Sequence, residues 1–203
     1  MDGQTRILVT AFQPFQGRPV NGSTTLLRWL RRRWSRPSFA SAIFPVDWQK
    51  APSRLAALIT RYQPTVVLSL GEGSPHQVAW EGRSANAMSG ADEAGQLPRT
   101  AHIHANGPAW LPITLPTPST GVFALLPRTT PLVHSQDAGT FLCNRILWEA
   151  LRSNVERVGF LHFPPQGNSP NRAYLAQFSR FLQQCLMEIY ADLNALDKAS
   201  QAT

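Results

Sequence analysis

One thiol, one imidazole and one carboxylate stand in this chain where main-chain geometry could put them to chemical use. Cys143 lies in HSQDAGTFLCN, residues His134 to Asn144. A short apolar run, Pro131 to Val133, passes through the small Ala138-Gly139 turn into TFLCNRILWEALR, which reads as a helix. A thiol in the first turns of a helix sits near partial positive charge and near backbone N–H groups that lack intrahelical partners. The same residue also suits a core: Cys143, Leu147 and Ala150 fall at i, i+4 and i+7 on one stripe. An ordinary thiol has a pKa of about 8.5, and a helix terminus contributes ~0.3–1 kcal/mol, about 2 kcal/mol at best. At about 1.36 kcal/mol per unit, the helix alone lowers that pKa by one unit or so. A nucleophile at neutral pH therefore needs an imidazole beside it, and a carboxylate on the far ring nitrogen to fix the tautomer and favour the cation.

His162, at the carboxyl end of RVGFLHF, and Glu81, in WEGRSANAM, fit those two roles in type. Asp137 competes with Glu81 for the carboxylate role, although at a helix start it is first a good N-cap. His134, His102 and His104 are further bases, the last two in a polar HIH loop. No third ligand accompanies HIH, and neither CxxC nor HExxH occurs, so no metal is expected. GEG, at Gly71 to Gly73, has one Gly too few for a phosphate-binding fingerprint, and no cofactor is expected.

The elements that must position these groups alternate. Arg6 to Phe12, Thr65 to Leu70 and Arg157 to Phe163 read as buried strands, as does Phe39 to Val46. Ser23 is a good N-cap for the helix STTLLRWLRRRW, and Lys50 to Tyr62 is amphipathic and ends before Pro64. Trp80 to Met88 suggests a short strand. Ser89 to Pro118, rich in Gly and Pro, suggests irregular structure with a hairpin. Gly121 to Arg128 is a weak helix candidate. Ser169-Pro170 opens a long C-terminal helix to about Leu196, with Cys185 on its apolar stripe. Such alternation predicts an α/β fold, a doubly wound and mostly parallel sheet with helices on both faces, in one domain spanning residues 1–203. Ligands of such sheets bind beyond the carboxyl ends of the strands, where the loops after Phe12 and Leu70 and the loop into Cys143 belong.

The totals exclude several classes. The net charge of +7 comes mainly from arginine, 17 of 19 basic residues. Its one cluster, Arg28, Arg31, Arg32, Arg33 and Arg36, reads as the solvated end of a helix, and with no nucleic-acid motif beside it no nucleic-acid partner is expected. Two cysteines make no disulfide framework, the opening residues do not read as a signal peptide and none is expected, and no apolar run approaches the roughly 20 residues that span a bilayer. These features predict a cytoplasmic protein without membrane contact.

Several stretches together resemble the pyroglutamyl peptidase I family, the pyrrolidone carboxyl peptidases. VTAFQPFQG (Val9 to Gly17) is similar to the family's VTGFxPFGG, with Asn21 at the family's Asn. WEGRSAN matches its Glu-containing segment at Glu81 and Asn86. SQDAGTFLCN (Ser135 to Asn144) matches S-x-x-A-G-T-F-x-C-N, and GFLHFP (Gly159 to Pro164) matches G-F-I-H-x-P. The resemblance implies a three-layer α/β/α sandwich and a cysteine peptidase that removes an N-terminal pyroglutamyl residue from peptides through a thioester. It implies a triad of Cys143, His162 and Glu81. Phe12 and Phe15 would line the pyrrolidone pocket, and Glu72 would stand at a substrate-contacting Gln position. It also implies a peptide or small-amide substrate and a homo-oligomer, since related proteins are often tetrameric. The sequence departs from the family pattern around the pocket. MSGADEAG places Ala91 where the family has an Arg, GEGSPH lacks another, Gly82 followed by Arg83 replaces the Arg after the Glu, and PFGG has become PFQG. Two alternatives follow: a thiol amidohydrolase with a different small substrate, and a non-catalytic binding protein on the same scaffold.

Overall fold

A computed structural model describes residues 6–34, 39–167, 169 and 171–200. Arg36 of the basic cluster and Pro170 of the expected helix start lie outside them. In chain order the elements are β1 (Ile7–Phe12), α1 (Gly22–Arg33), β2 (Phe39–Phe44), α2 (Lys50–Tyr62), β3 (Val66–Glu72), β4 (Val78–Glu81), β5 (Arg83–Ala85), β6 (Trp110–Pro112), α3 (Thr120–Phe123), β7 (Leu132–Ser135), α4 (Leu142–Leu151), β8 (Arg157–Phe163) and α5 (Asn171–Ser200).

The strands read as continuous apolar runs because both faces of the sheet are covered. Alternate residues of β1 go to opposite cores. Ile7, Val9 and Ala11 join Leu26, Leu30 and the α5 stripe of Phe178, Leu182, Cys185 and Leu186, while Leu8 and Phe12 join Leu55, Leu142, Ile146 and Phe160. One helical layer is thus α1 with α5, the other α2 with α4. Cys185 is a core thiol, as its stripe predicts, and burial pushes its pKa up. Among the described residues no helix is long and apolar enough to cross a membrane.

The main sheet has the order β2-β1-β3-β8-β4-β7. The first four strands run parallel, whereas β4 pairs antiparallel with β8 and β7 runs parallel to β4. The sheet is therefore mostly parallel but reverses at its β4-β7 edge. The expected strand from Trp80 to Met88 divides at Gly82. Its second part, β5, leaves the main sheet and pairs with β6 in a separate antiparallel ribbon, so the 89–118 region holds one strand whose partner precedes it and not the expected hairpin.

Two helix starts differ from expectation. Asn21, not Ser23, caps α1: its Oδ1 accepts from the Ser23 N–H at 2.9 Å, so the helix begins at Gly22. Asp137 does not cap α4. Phe141 occupies that position, and the Asp137 carboxylate accepts from Gly139 N–H in a tight turn before it. The helix expected over Gly121 to Arg128 is a single turn, Thr120–Phe123.

Candidate active site

Register places His162. Within β8, Val158 and Phe160 face the α2/α4 layer, and period-two alternation puts His162 on that same face at the strand's end. The neighbouring β4 carries Ala79 directly opposite His162. Two residues on, Glu81 returns to the same face one diagonal step away, within reach of a long side chain. Glu81 thus reaches the histidine because β4 is antiparallel. Its strand's carboxyl end lies a step deeper than the carboxyl edge of the parallel strands, not level with it as a wholly parallel sheet would have it. The His162 Nδ1–H donates to Glu81 Oε1 at 2.6 Å. Both side chains are buried, Glu81 to 2% exposure, and its Oε2 has no hydrogen-bond partner among the described residues. Asp137 lines the neighbouring pocket but is not the partner of the imidazole.

Helix α4 brings the thiol. Cys143 is the helix's second residue, half-buried, with the N-terminal backbone N–H groups around it. Strand β3 makes the room. Gly71 is in register with His162, and a Cβ built on it would lie 2.9 Å from Cys143 Sγ and 2.9 Å from His162 Nε2. A Cβ on Gly73 would meet His162 Cβ at 2.8 Å. GEG is therefore a pair of gaps through which thiol and imidazole approach. Burial is the largest single influence on His162 and opposes its charge. The Cys143 sulfur, by charge and hydrogen bond, and then Glu81 outweigh it, and push the imidazole up to about 10. The ring holds its proton at neutral pH with sulfur on one side and carboxylate on the other.

Asn144 shows why α4 stays in place. Fully buried, its Oδ1 accepts from Ser84 Oγ and Ala85 N–H, both at 2.8 Å, and its Nδ2 donates to the carbonyls of Ala85 and Ala87. The residue after the thiol thus staples the helix start to β5. Asn86 makes a similar clamp, pairing with both the N–H and the carbonyl of His104.

A pocket of about 350 Å³ opens above the thiol. Seven of the residues singled out from the sequence line it: Phe12, Phe15, Asn21, Glu72, Glu81, Cys143 and His162. Phe141 and Val46 complete the apolar wall. Neither stood out in the sequence, although Phe141 lies within AGTFLCN. Phe141 packs edge-on against Trp48 at 5.3 Å and tilts against Phe15 at 6.3 Å. Asn21 and Glu72 are also tethered. Asn21 caps α1, while Glu72 accepts from Gly22 N–H at 2.5 Å and pairs with Arg18 at 2.6 Å. The other candidate bases lie elsewhere. His134 is exposed on β7 against Phe123, and HIH is in the 89–118 region. No cluster of metal-ligating side chains occurs among the described residues.

The model of the family described as pyroglutamyl peptidase matches residues 5–172. The chain belongs to the pyroglutamyl peptidase family. It is 32% identical over 162 residues to the pyrrolidone-carboxylate peptidase of Chromobacterium violaceum, covering 78% of this chain and 77% of that one. It is 34% identical over 167 residues to that of Klebsiella pneumoniae, with the same shares. Among solved structures, the pyrrolidone carboxyl peptidase of Thermus thermophilus superposes with a TM-score of 0.70 at 27% identity, covering 88% of this chain and 98% of that one. The pyrrolidone carboxyl peptidase of Thermococcus litoralis shares the fold, with a TM-score of 0.73 at 20% identity over 93% and 96% of the two chains.

Within this family framework the altered segments have definite places. Arg83 does not supply an arginine to the pocket: its Nε donates to the Gln136 carbonyl at 2.8 Å and its guanidinium lies 5.6 Å from the Trp110 ring. The ADEAG loop that carries Ala91 folds around Asp92, which accepts from the N–H groups of Trp48, Ala94 and Gln96. PFQG and ADEAG are joined, Gln16 N–H donating to Glu93 Oε1 at 2.5 Å.

Proposed function

We propose that this chain is a cysteine peptidase that removes an N-terminal pyroglutamyl residue from peptides, with Cys143 as nucleophile, His162 as acid and base, and Glu81 orienting the imidazole. One observation carries the reading: thiol, imidazole and buried carboxylate stand in line beneath an aromatic-walled pocket. Its volume, about 350 Å³, is at the small end of ligand pockets and suits a five-membered lactam more than an open peptide. Phe12, Phe15 and Phe141 supply the aromatic surface for that flat, weakly polar group. Asn21 and Glu72 supply the polar contacts that orient it.

The sulfur attacks the pyroglutamyl carbonyl carbon, and negative charge moves to its oxygen. Backbone N–H groups at the start of α4 hold that oxyanion. His162 gives its proton to the leaving amine as the C–N bond breaks, leaving a thioester on Cys143. Water then attacks the thioester. His162 takes its proton, pyroglutamate leaves and the thiolate beside the charged imidazole is restored. The chemistry uses no cofactor and needs a free thiol, in keeping with a reducing cytoplasm. Assembly into a homo-oligomer belongs to the same reading, and light scattering of the purified protein tests it.

The decisive measurement is release of aminomethylcoumarin from its pyroglutamyl derivative. Cys143→Ser should lower kcat by at least about 1,000-fold. If the wild type fails to release the dye while iodoacetamide still titrates Cys143, a thiol amidohydrolase acting on another small amide replaces this reading. The charged Glu72 in the pocket is the feature that favours that alternative.

A further inference from the structure

The loop from β1 to α1 carries one wall of the pocket, and packing alone does not hold it. Phe15 is half-buried there, tilted against Phe141. The guanidinium of Arg18 covers its ring, with Cζ 4.3 Å from the centroid, and Arg18 Nε donates to the Phe15 carbonyl at 3.4 Å. Arg18 Nη1 pairs with Glu72 Oε2 at 2.6 Å. The Glu72 side chain is only 2% exposed, and its other oxygen accepts from the N–H groups of Gly22 and Gln166. A carboxylate so buried is costly to leave unpaired, which holds the guanidinium in place. A planar guanidinium can stack on a ring and pair with a carboxylate at once, and a lysine ammonium lacks the flat face.

We propose that Arg18 is a positioning residue for the pocket: pinned by Glu72 at the end of β3, it fixes the Phe15 ring as the wall against which the substrate lactam packs. The inference rests on the pyroglutamyl reading above. Arg18 does not itself line the pocket, so it acts on binding through residues that do, Phe15 chiefly and Glu72 with it, and not on the thiol.

The test uses KM and kcat for pyroglutamyl-aminomethylcoumarin in Arg18→Gln, Arg18→Lys, Phe15→Leu and the Arg18→Gln/Phe15→Leu double variant. Arg18→Gln should raise KM about tenfold with kcat within about twofold. Arg18→Lys keeps the ion pair but loses the flat stack and should raise KM about threefold. In the Phe15→Leu background, Arg18→Gln should lose most of its effect on KM and keep only the smaller part that comes from unpairing Glu72. Alkylation of Cys143 by iodoacetamide should keep its wild-type rate in every variant. A wild-type KM in Arg18→Gln, independent multiplication of the Arg18 and Phe15 effects, or a fall in kcat alone would each overturn the proposal. If Arg18→Gln fails to fold, Arg18→Lys decides by the same comparison. A wild type that turns the substrate over beside an unaffected Arg18 variant refutes the positioning role alone. A wild type that releases no dye refutes the peptidase reading and this inference with it.

Discussion

The floor and the wall of the pocket are built differently. The floor, with Cys143, His162 and Glu81, stands on a helix start and two paired strands, and its distances follow from register. The wall, with Phe15 and its neighbours, stands on irregular loops that side chains tie down: Arg18 to Glu72, Gln16 to Glu93, and Asp92 to three backbone N–H groups. Two of the departures from the family pattern, PFQG and ADEAG, fall on the wall, whereas GEGSPH and Gly82 border the floor. Regular backbone hydrogen bonding holds the floor to fractions of an ångström, as reacting atoms demand. A loop wall can change residues and be tethered anew, and so can change what is bound without disturbing what reacts.

Substitutions in the two regions should separate in kind as well as size. Glu81→Gln keeps the floor's shape but cannot hold an imidazolium, and should lower kcat by about 10⁴-fold with little change in KM. A loss under about tenfold would show that the carboxylate is not the orienting group. Gly71→Ala sets a methyl group between Sγ and Nε2, and the displacement should cost about 100-fold in kcat. An unchanged kcat would mean that the floor yields as readily as a loop.

The floor also has a signature in stability. The folded protein binds the His162 proton more tightly than the unfolded chain does. The contribution is therefore whole below the ordinary histidine value of about 6.5 and is lost as pH rises through about 10. Denaturant titrations between those limits should show stability falling with pH, with a shallower fall in His162→Gln. Equal slopes in the two proteins would remove the buried imidazolium from the floor. The smallest effect belongs to the wall. Gln16 holds a left-handed φ of 56°, and Gln16→Gly should shift stability by no more than about 1 kcal/mol, keeping the N–H that binds Glu93. A loss of several kcal/mol in its melting would show the wall to be as rigid as the floor.

Much of this was readable from residue order. The α2 and β8 bounds inferred from periodicity coincide with the observed ones, because a helix ending before Pro64 and a buried β-strand are decided by local chemistry. All seven residues singled out for the site line one pocket. Three features were hidden. That Glu81 and not Asp137 contacts His162 follows from strand direction. The start of α1 depends on which side chain reaches a free N–H, Asn21 and not Ser23, while α4 starts after Phe141 with no side-chain cap. The role of GEG appears only when His162 and Cys143 arrive from elsewhere in the chain to fill the space above Gly71.

Sequence alone determined the alternation of strands and helices, the thiol at a helix start, and family membership, since these are carried by periodicity, turn chemistry and contiguous motifs. The tertiary structure decided that β4 runs against β8, that this reversal brings Glu81 diagonally onto His162, and that Arg18 and Glu72, 54 positions apart in the chain, meet beside Phe15. The physical reason is the same in each case: pairing between distant segments is set by how the whole sheet buries both its faces, and no local stretch of residues carries that information.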